Sequence, residues 1–123
     1  MQNPYTEKPL LWIRSSHKDL LTFPEEVIDT IGHALGLAQN GEKFHSAKPL
    51  KGLGSGVLEV IEDYNTDTYR AVYTVQFEKA VYVVHCFQKK SKSGISTPKQ
   101  DMELIKKRLK EAETDYKERY DDQ

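Results

Sequence analysis

The sequence predicts an α+β domain in which a small, mostly antiparallel β-sheet is flanked by helices. Residues 68–77 and 81–90 are two runs dense in Val, Tyr, Phe and Thr, joined by a short polar link, a pattern typical of a β-hairpin. Apolar residues recur at helical spacing before residue 41 and after residue 97. We expect the order β-α-α-β-β-β-α, and the segregation of helices from strands favours the α+β class.

The N-terminal part of the chain supplies one strand and two helices. Residues 1–9 carry two prolines and form a loose lead-in, and the apolar residues 10–13 form a short first strand. Ser15 or Ser16 then caps a short helix over residues 17–21.

The second helix opens at F-P-E-E, residues 23–26, because proline is favoured in the first turn and acidic side chains complement the helix dipole there. Apolar side chains at three- and four-residue spacing form its buried face, and Asn40 and Gly41 end it. Gly32 and Gly36 lower its intrinsic stability, so we expect close packing against a neighbour at these two positions.

The C-terminal part supplies the remaining strands and a long helix. The glycine- and proline-rich residues 42–56 form a mobile connector, and residues 57–64 form a strand that precedes the hairpin. Residues 97–98 (T-P) begin the last helix as its N-cap and first residue, and an apolar stripe follows. Residues 113–123 form an acidic tail.

Length, charge and cysteine content limit the classes of protein that fit. A chain of 123 residues is a single domain, 1–123, and its formal net charge of −1 provides no overall attraction to nucleic acid. The single cysteine, Cys86, excludes an intrachain disulfide and suits a reducing cytosol. The apolar run near the N-terminus is too short for a signal sequence or a membrane span, so we expect a cytoplasmic protein without a membrane partner.

Motifs for metal and nucleotide binding are missing from the sequence. The four histidines share no ligand spacing and one cysteine is too few for structural zinc, so we expect no metal and no cofactor. The G-x-x-x-x-G-K-[ST] spacing of a phosphate loop and the G-x-S-x-G turn of a serine hydrolase are also missing.

The hairpin places several cations near one end of the sheet. Arg70 lies in a β-branched run, where a strand fixes its guanidinium for a two-point contact with phosphate. Counting back from the polar link brings Arg70 close to Phe87, near the end of the hairpin where Lys89 and Lys90 lie. This cluster predicts phosphate contact and stabilisation of a charged transition state. The alternative is a structural role, in which Arg70 pairs with Glu59 or Glu62 of the preceding strand.

His85 and Tyr73 are the uncharged candidates on the same hairpin. His85 has the intrinsic pKa of a general acid or base. Period-two alternation places it on an apolar face with Val81 and Val83, where a hydrogen-bonded core histidine is the more common outcome. Tyr73 is suited to proton transfer or to stacking on a base, although tyrosines on strands are more often core residues.

Several segments of the chain resemble the HigB-like toxins, the phage-derived branch of the RelE/ParE toxin superfamily. They begin with W-I-R-S-S-x-x-x-L, F-P-x-x-V and G-x-A-L-x-x-A-Q-x-G and continue through K-P-L-K-G-L-G-S-G-V-L-E-V, T-Y-R-A-V-Y and V-Y-V-V-H-C-F-Q-K-K-S. They end at G-I-S-T-P-x-x-D-M-x-L-I-x-x-R-L, so the resemblance covers residues 10–109.

The resemblance implies the toxin of a type II toxin–antitoxin pair, with a fold like that of microbial ribonucleases. The implied activity is metal-independent mRNA cleavage, commonly on the ribosome, by attack of a ribose 2′-hydroxyl that leaves a cyclic phosphate. Arg70 matches the strand arginine of the superfamily, and Lys89 and Lys90 match its basic strand end. His85 and Tyr73 are the implied candidates for proton transfer, and Lys51 and Lys92 are the further candidates for RNA contact.

The resemblance also implies partners and leaves two other functions open. The expected partner is a small helix-turn-helix antitoxin encoded nearby, through which the complex binds its own operator. The acidic tail departs from the basic or aromatic tail common in the superfamily nucleases. A ParE-like gyrase poison without nuclease activity, or an inactive module that binds only the antitoxin, are therefore the alternatives.

Overall fold

One mixed sheet with helices on both faces forms the domain, and the computed structural model describes residues 7–89 and 97–120. In chain order the elements are β1 (Leu10–Trp12), α1 (Ser16–Leu20), α2 (Glu25–Gln39), β2 (Lys48–Pro49), β3 (Val57–Tyr64), β4 (Asp67–Thr74), β5 (Val81–Lys89) and α3 (Lys99–Tyr120). The strands lie in the order β1-β5-β4-β3-β2; β1 runs parallel to β5 and the other three pairs are antiparallel. The predicted α+β class is confirmed.

Two segments are more ordered than the sequence predicted. The expected connector over residues 42–56 contains the short edge strand β2 and buries Phe44 and Ala47 in the core. Helix α3 continues past Tyr116, the last residue of the predicted apolar stripe, and runs through the acidic tail as far as Tyr120. Both gains come from packing against other elements, which local composition does not reveal.

Two hydrophobic clusters lie on opposite faces of the sheet. Helices α1 and α2 cover one face, where Leu20, Val27 and Ile31 pack with strand residues such as Val60 and Val83. Helix α3 covers the other face. Its side chains Ile105 and Ala112 pack there with the strand residues Val57, Val72, Tyr82 and Val84. Among the described residues no helix is long and apolar enough to cross a membrane.

A β-bulge in β5 changes the face on which its second half lies. The β4–β5 register shifts between Val72 and Tyr73, and Val84 is the extra residue of β5. His85 therefore pairs with Val72 and lies on the face of Arg70. Strict alternation predicts that His85 shares a face with Val81 and Val83. That prediction was wrong, because Val81 and Val83 lie on the face covered by α1 and α2, and alternation takes no account of an inserted residue.

The glycines of α2 do not pack closely against a neighbour. A Cβ atom placed at Gly32 or Gly36 would meet nothing within 4 Å. The predicted close approach at these positions was wrong, and the two glycines only reduce helix propensity.

Replacing Gly32 with Ala should raise the free energy of unfolding by about 1 kcal/mol, since Ala is the better helix former by that amount and the position is open. Urea unfolding followed by circular dichroism measures the change. Gly56→Ala is the contrasting control. The backbone φ of +87° at Gly56 is strained for an L side chain, and a Cβ there would lie 3.0 Å from Cβ of Gln76. We therefore expect Gly56→Ala to lower the free energy of unfolding. A loss in the Gly32→Ala variant would contradict this account.

Candidate functional site

Three neighbouring strands bring a carboxylate, a guanidinium and an imidazole onto the face covered by α3. Glu59 of β3 pairs with Val72 of β4, which in turn pairs with His85 of β5. Arg70 lies two residues before Val72 on the same face and pairs with Phe87, the register predicted from the sequence. We call Glu59, Arg70 and His85 the three-strand cluster.

A buried ion pair joins two members of the cluster. Nη1 of Arg70 lies 3.2 Å from Oε2 of Glu59, and the exposed fractions of the two side chains are 2% and 8%. The Thr97 hydroxyl, just before α3, accepts a hydrogen bond from Nη1 of Arg70 at 3.3 Å and donates one to Glu59 Oε2 at 3.2 Å. This is the structural pairing that the sequence left open, with Glu59 rather than Glu62 as the partner.

Side chains of α3 hold the third member. Nε2 of His85 lies 2.7 Å from Oδ1 of Asp101, and Nδ1 lies 3.5 Å from Nη1 of Arg108. Because a guanidinium only donates, Nδ1 is the acceptor and Nε2–H points to Asp101. Burial lowers the pKa of His85 from 6.5, against the opposing effect of the Asp101 carboxylate.

The cluster is almost closed to solvent, but a groove reaches two of its members. The exposed fractions are 7% for Glu59, 1% for Arg70 and 6% for His85. A groove of about 670 Å³ extends from Glu59 and Arg70 along β3 to the β3–β4 turn. Its lining also includes Lys48, Asp63 and Asp67, so both signs of charge are present.

The arrangement has the parts needed for acid–base chemistry at a phosphate. A carboxylate is a proton acceptor, a guanidinium binds phosphate oxygens, and an imidazole transfers a proton near neutral pH. Within residues 7–89 and 97–120, no group of three or more His, Cys, Asp or Glu side chains is placed to hold a metal ion.

The predicted lysines are spread over the sheet. Lys89 is half-buried at the end of β5, paired with Thr68 on the face of the cluster. Lys51 is exposed and follows β2, which pairs with residues 58–59 near the other end of β3. Lys90 and Lys92 lie outside the described residues.

Tyr73 lies on the opposite face of the sheet from Arg70. Its side chain is fully buried in the core under α1 and α2, and its hydroxyl has no hydrogen-bond partner among the described residues. Burial raises the pKa of Tyr73 to about 12. The hydroxyl therefore cannot reach a substrate at Arg70, and we assign it to the core.

Sequence reasoning missed Asp101 and Arg108 as members of the site. It named Glu59 only as one of two possible structural partners of Arg70. Asp101 and Arg108 are seven residues apart, two helical turns, so they share the face of α3 that turns toward His85. That spacing was the one available signal.

Comparison with known proteins finds a matching family and a similar solved structure. The model of the family described as "Phage derived protein Gp49-like (DUF891)" matches residues 18–110. No curated protein matches the sequence. The crystal structure of the toxin–antitoxin complex RelBE2 from Mycobacterium tuberculosis is similar over 73% of this chain and 100% of that chain, with 14% identity and a TM-score of 0.46. This likeness is too weak to support a conclusion about activity.

The Arg70→Ala substitution should lower the free energy of unfolding by about 3–5 kcal/mol, because it leaves the Glu59 carboxylate buried without its partner. Urea unfolding measures the loss. The double replacement Glu59→Leu with Arg70→Met should cost much less, since it removes both charges. The exposed Arg14–Glu111 pair is the control, and Arg14→Ala should have only a small effect. Equal effects of Arg70→Ala and Arg14→Ala would refute a buried pair.

His85 should make the protein less stable as the pH falls from about 7 to about 5. Its pKa is lowered in the folded state, so the unfolded chain binds the proton more readily and acid favours unfolding. The His85→Gln variant should show a weaker dependence of the unfolding free energy on pH, measured with urea at several pH values. His33→Gln, on the exposed side of α2, is the control. Identical pH dependence in the wild type and in His85→Gln would contradict the prediction.

Proposed function

We propose that this chain, which belongs to the Gp49-like family of phage-derived proteins, is a toxin acting as a metal-independent endoribonuclease on mRNA. The family match confirms the phage-derived family predicted from the sequence. The three-strand cluster is the observation that carries the proposal. It combines a base, a phosphate-binding cation and a proton donor on one face of three adjacent strands.

The reaction divides among the three side chains as follows. Glu59 accepts the proton of a ribose 2′-hydroxyl, whose oxygen attacks the adjacent phosphorus. Arg70 contacts the phosphate oxygens and stabilises the charge that accumulates on them. His85, in its protonated form, donates a proton to the departing 5′-oxygen. The products are a 2′,3′-cyclic phosphate and a 5′-hydroxyl, and no water is consumed in this step.

Access to the cluster involves the groove and the start of α3. An RNA strand that lies in the groove along β3 reaches Glu59 and Arg70. Thr97 bonds both of these side chains and Asp101 bonds His85, so these contacts are exchanged for contacts with RNA as the substrate seats. Further contacts with the phosphates of the RNA strand come from four lysines: Lys51, Lys89, Lys90 and Lys92.

The proposal includes the partners that the sequence suggested. A helix-turn-helix antitoxin encoded nearby binds the toxin, blocks the groove, and carries the complex to its operator. The substrate is mRNA on the ribosome, in the cytoplasm. The near-neutral charge of the chain is compatible with a substrate that the ribosome presents, since affinity then does not depend on this protein's charge alone.

The alternative of an inactive antitoxin-binding module is favoured by one specific observation. Arg70 is 1% exposed and its Nη1 already donates to Glu59 and Thr97, so this nitrogen is engaged by protein groups. In that case the ion pair is only structural. The two functions differ in whether the Glu59 carboxylate is needed for RNA cleavage.

Induced expression in a bacterial host, with growth followed and RNA 5′ ends mapped, tests the nuclease. We expect growth arrest and new mRNA cleavage sites for the wild type, and a cleavage rate about 10²–10⁴-fold lower for Glu59→Gln, the range for loss of a general base. Glu62→Gln is the matched control, since Glu62 lies on β3 but on the other face. Soluble yield and circular dichroism show that each variant folds.

The other outcomes separate the alternatives. Intact RNA and unimpaired growth with folded wild-type protein would favour the inactive module. Growth arrest that persists in Glu59→Gln without new RNA ends would reject the nuclease and favour a different target such as gyrase. Arg70→Ala is a poor first variant, because loss of the ion pair would destabilise the protein as well as remove the phosphate contact.

A further inference from the structure

A second cationic cavity lies between α3 and the junction of β1 with α1. It encloses about 300 Å³ and is lined by Arg14, Leu104, Lys107, Arg108 and Glu111. Three of these side chains are cations and one is a carboxylate, so the lining is positive. The cavity is distinct from the groove along β3, with which it shares no lining residue.

Arg108 in this cavity is a buried cation without an acidic partner in the described part of the chain. Its exposed fraction is 8%, and no described carboxylate oxygen lies within the 4.0 Å of an ion pair. Its bonds go to neutral acceptors: the Val84 carbonyl at 2.9 Å, Nδ1 of His85 at 3.5 Å and the Ser15 hydroxyl at 3.4 Å. Nε has no partner among the described residues. Because buried charges are normally paired, we expect this guanidinium to bind an anion that is not part of the chain.

Arg14 is held at the rim of the same cavity. Its φ of +54° lies in the left-handed region that residues with a side chain seldom adopt. Nε and Nη2 donate to the two carboxylate oxygens of Glu111 at 3.0 and 2.9 Å. These bonds use two of the five N–H donors of the guanidinium, and the side chain is 66% exposed, so further donors remain for a ligand.

We propose that this cavity is a phosphate-binding subsite, in which Arg14, Lys107 and Arg108 hold one phosphate group. Guanidinium groups match the geometry of phosphate oxygens, and Lys107 adds a point charge. The phosphate belongs either to an RNA strand or to free phosphate, which offers the same chemistry. Only the first source rests on the proposed nuclease.

The contact between Arg108 and His85 couples the subsite to the three-strand cluster. Protonation of His85 at Nδ1 removes the lone pair that accepts from Arg108, so this contact must break in the protonated form. A phosphate that binds Arg108 replaces the imidazole as its acceptor, adds negative charge nearby and so favours the protonated imidazole. The protonated form is the one that donates a proton to the leaving oxygen. An RNA strand that occupies the subsite therefore favours the protonated form of His85, which donates the proton in the reaction.

Binding measurements on the folded chain test the subsite without any cleavage. The probes are a fluorescent 2′-deoxy oligonucleotide, followed by anisotropy, and inorganic phosphate, followed by calorimetry. A 2′-deoxy strand has no attacking hydroxyl, so failure of the nuclease proposal leaves this result unaffected. Lys107→Ala and Arg14→Ala are the test variants. Lys106→Ala is the matched control, since Lys106 is the exposed neighbour on α3 that does not line the cavity.

We expect Lys107→Ala to weaken binding of both probes about fivefold, the effect of losing one exposed charge contact. The slope of log affinity against log salt concentration for the oligonucleotide should fall by about 0.7, the value for one single-strand phosphate contact. Weakened binding of inorganic phosphate alone would support the subsite and assign it to the free anion. Equal effects of Lys106→Ala and Lys107→Ala, or no effect of either, would overturn the proposal.

Discussion

The buried ion pair between Glu59 and Arg70 is the interaction around which this domain is built. It joins two adjacent strands in a place from which water is excluded, and removing two charges from water costs more than most hydrogen bonds return. Thr97 completes the pair by bonding both partners, so the start of α3 is fixed to the middle of the sheet. An apolar pair of similar volume would be at least as stable. Under the proposed function, the same two charges serve as the base and the phosphate-binding cation.

Helix α3 is the second determinant of the site, because it closes the face on which the cluster lies. Its side chains reach the sheet along the whole length of the helix. Asp101 bonds His85, Arg108 bonds the Val84 carbonyl, and Asp115 bonds the Tyr82 hydroxyl. The same helix leaves the groove along β3 on one side and the cationic cavity on the other. A polymeric substrate would meet both openings, with His85 between them.

The distribution of charged side chains over the surface depends on how α3 packs against the sheet. The chain as a whole is nearly neutral, but the cavity gathers Arg14, Lys107 and Arg108 around one acidic residue. The groove, by contrast, carries Asp63 and Asp67 beside Lys48. The nearly neutral net charge of the chain is therefore divided between a cationic cavity and a groove that carries both signs of charge. The two openings are suited to different parts of a ligand.

The sequence by itself determined the class of fold, the bounds of β3, the pairing of Arg70 with Phe87 and the family. These features depend on local periodicity, turn residues and short motifs, all of which involve residues close together in the sequence. Only the tertiary structure decided that His85 lies on the opposite face from Val81 and Val83, since a single extra residue in β5 reverses the face without leaving a signal in the side-chain pattern. It also decided the partners Asp101 and Arg108. Their contacts with His85 depend on how α3 packs across the sheet, and that packing is set by residues distant in sequence.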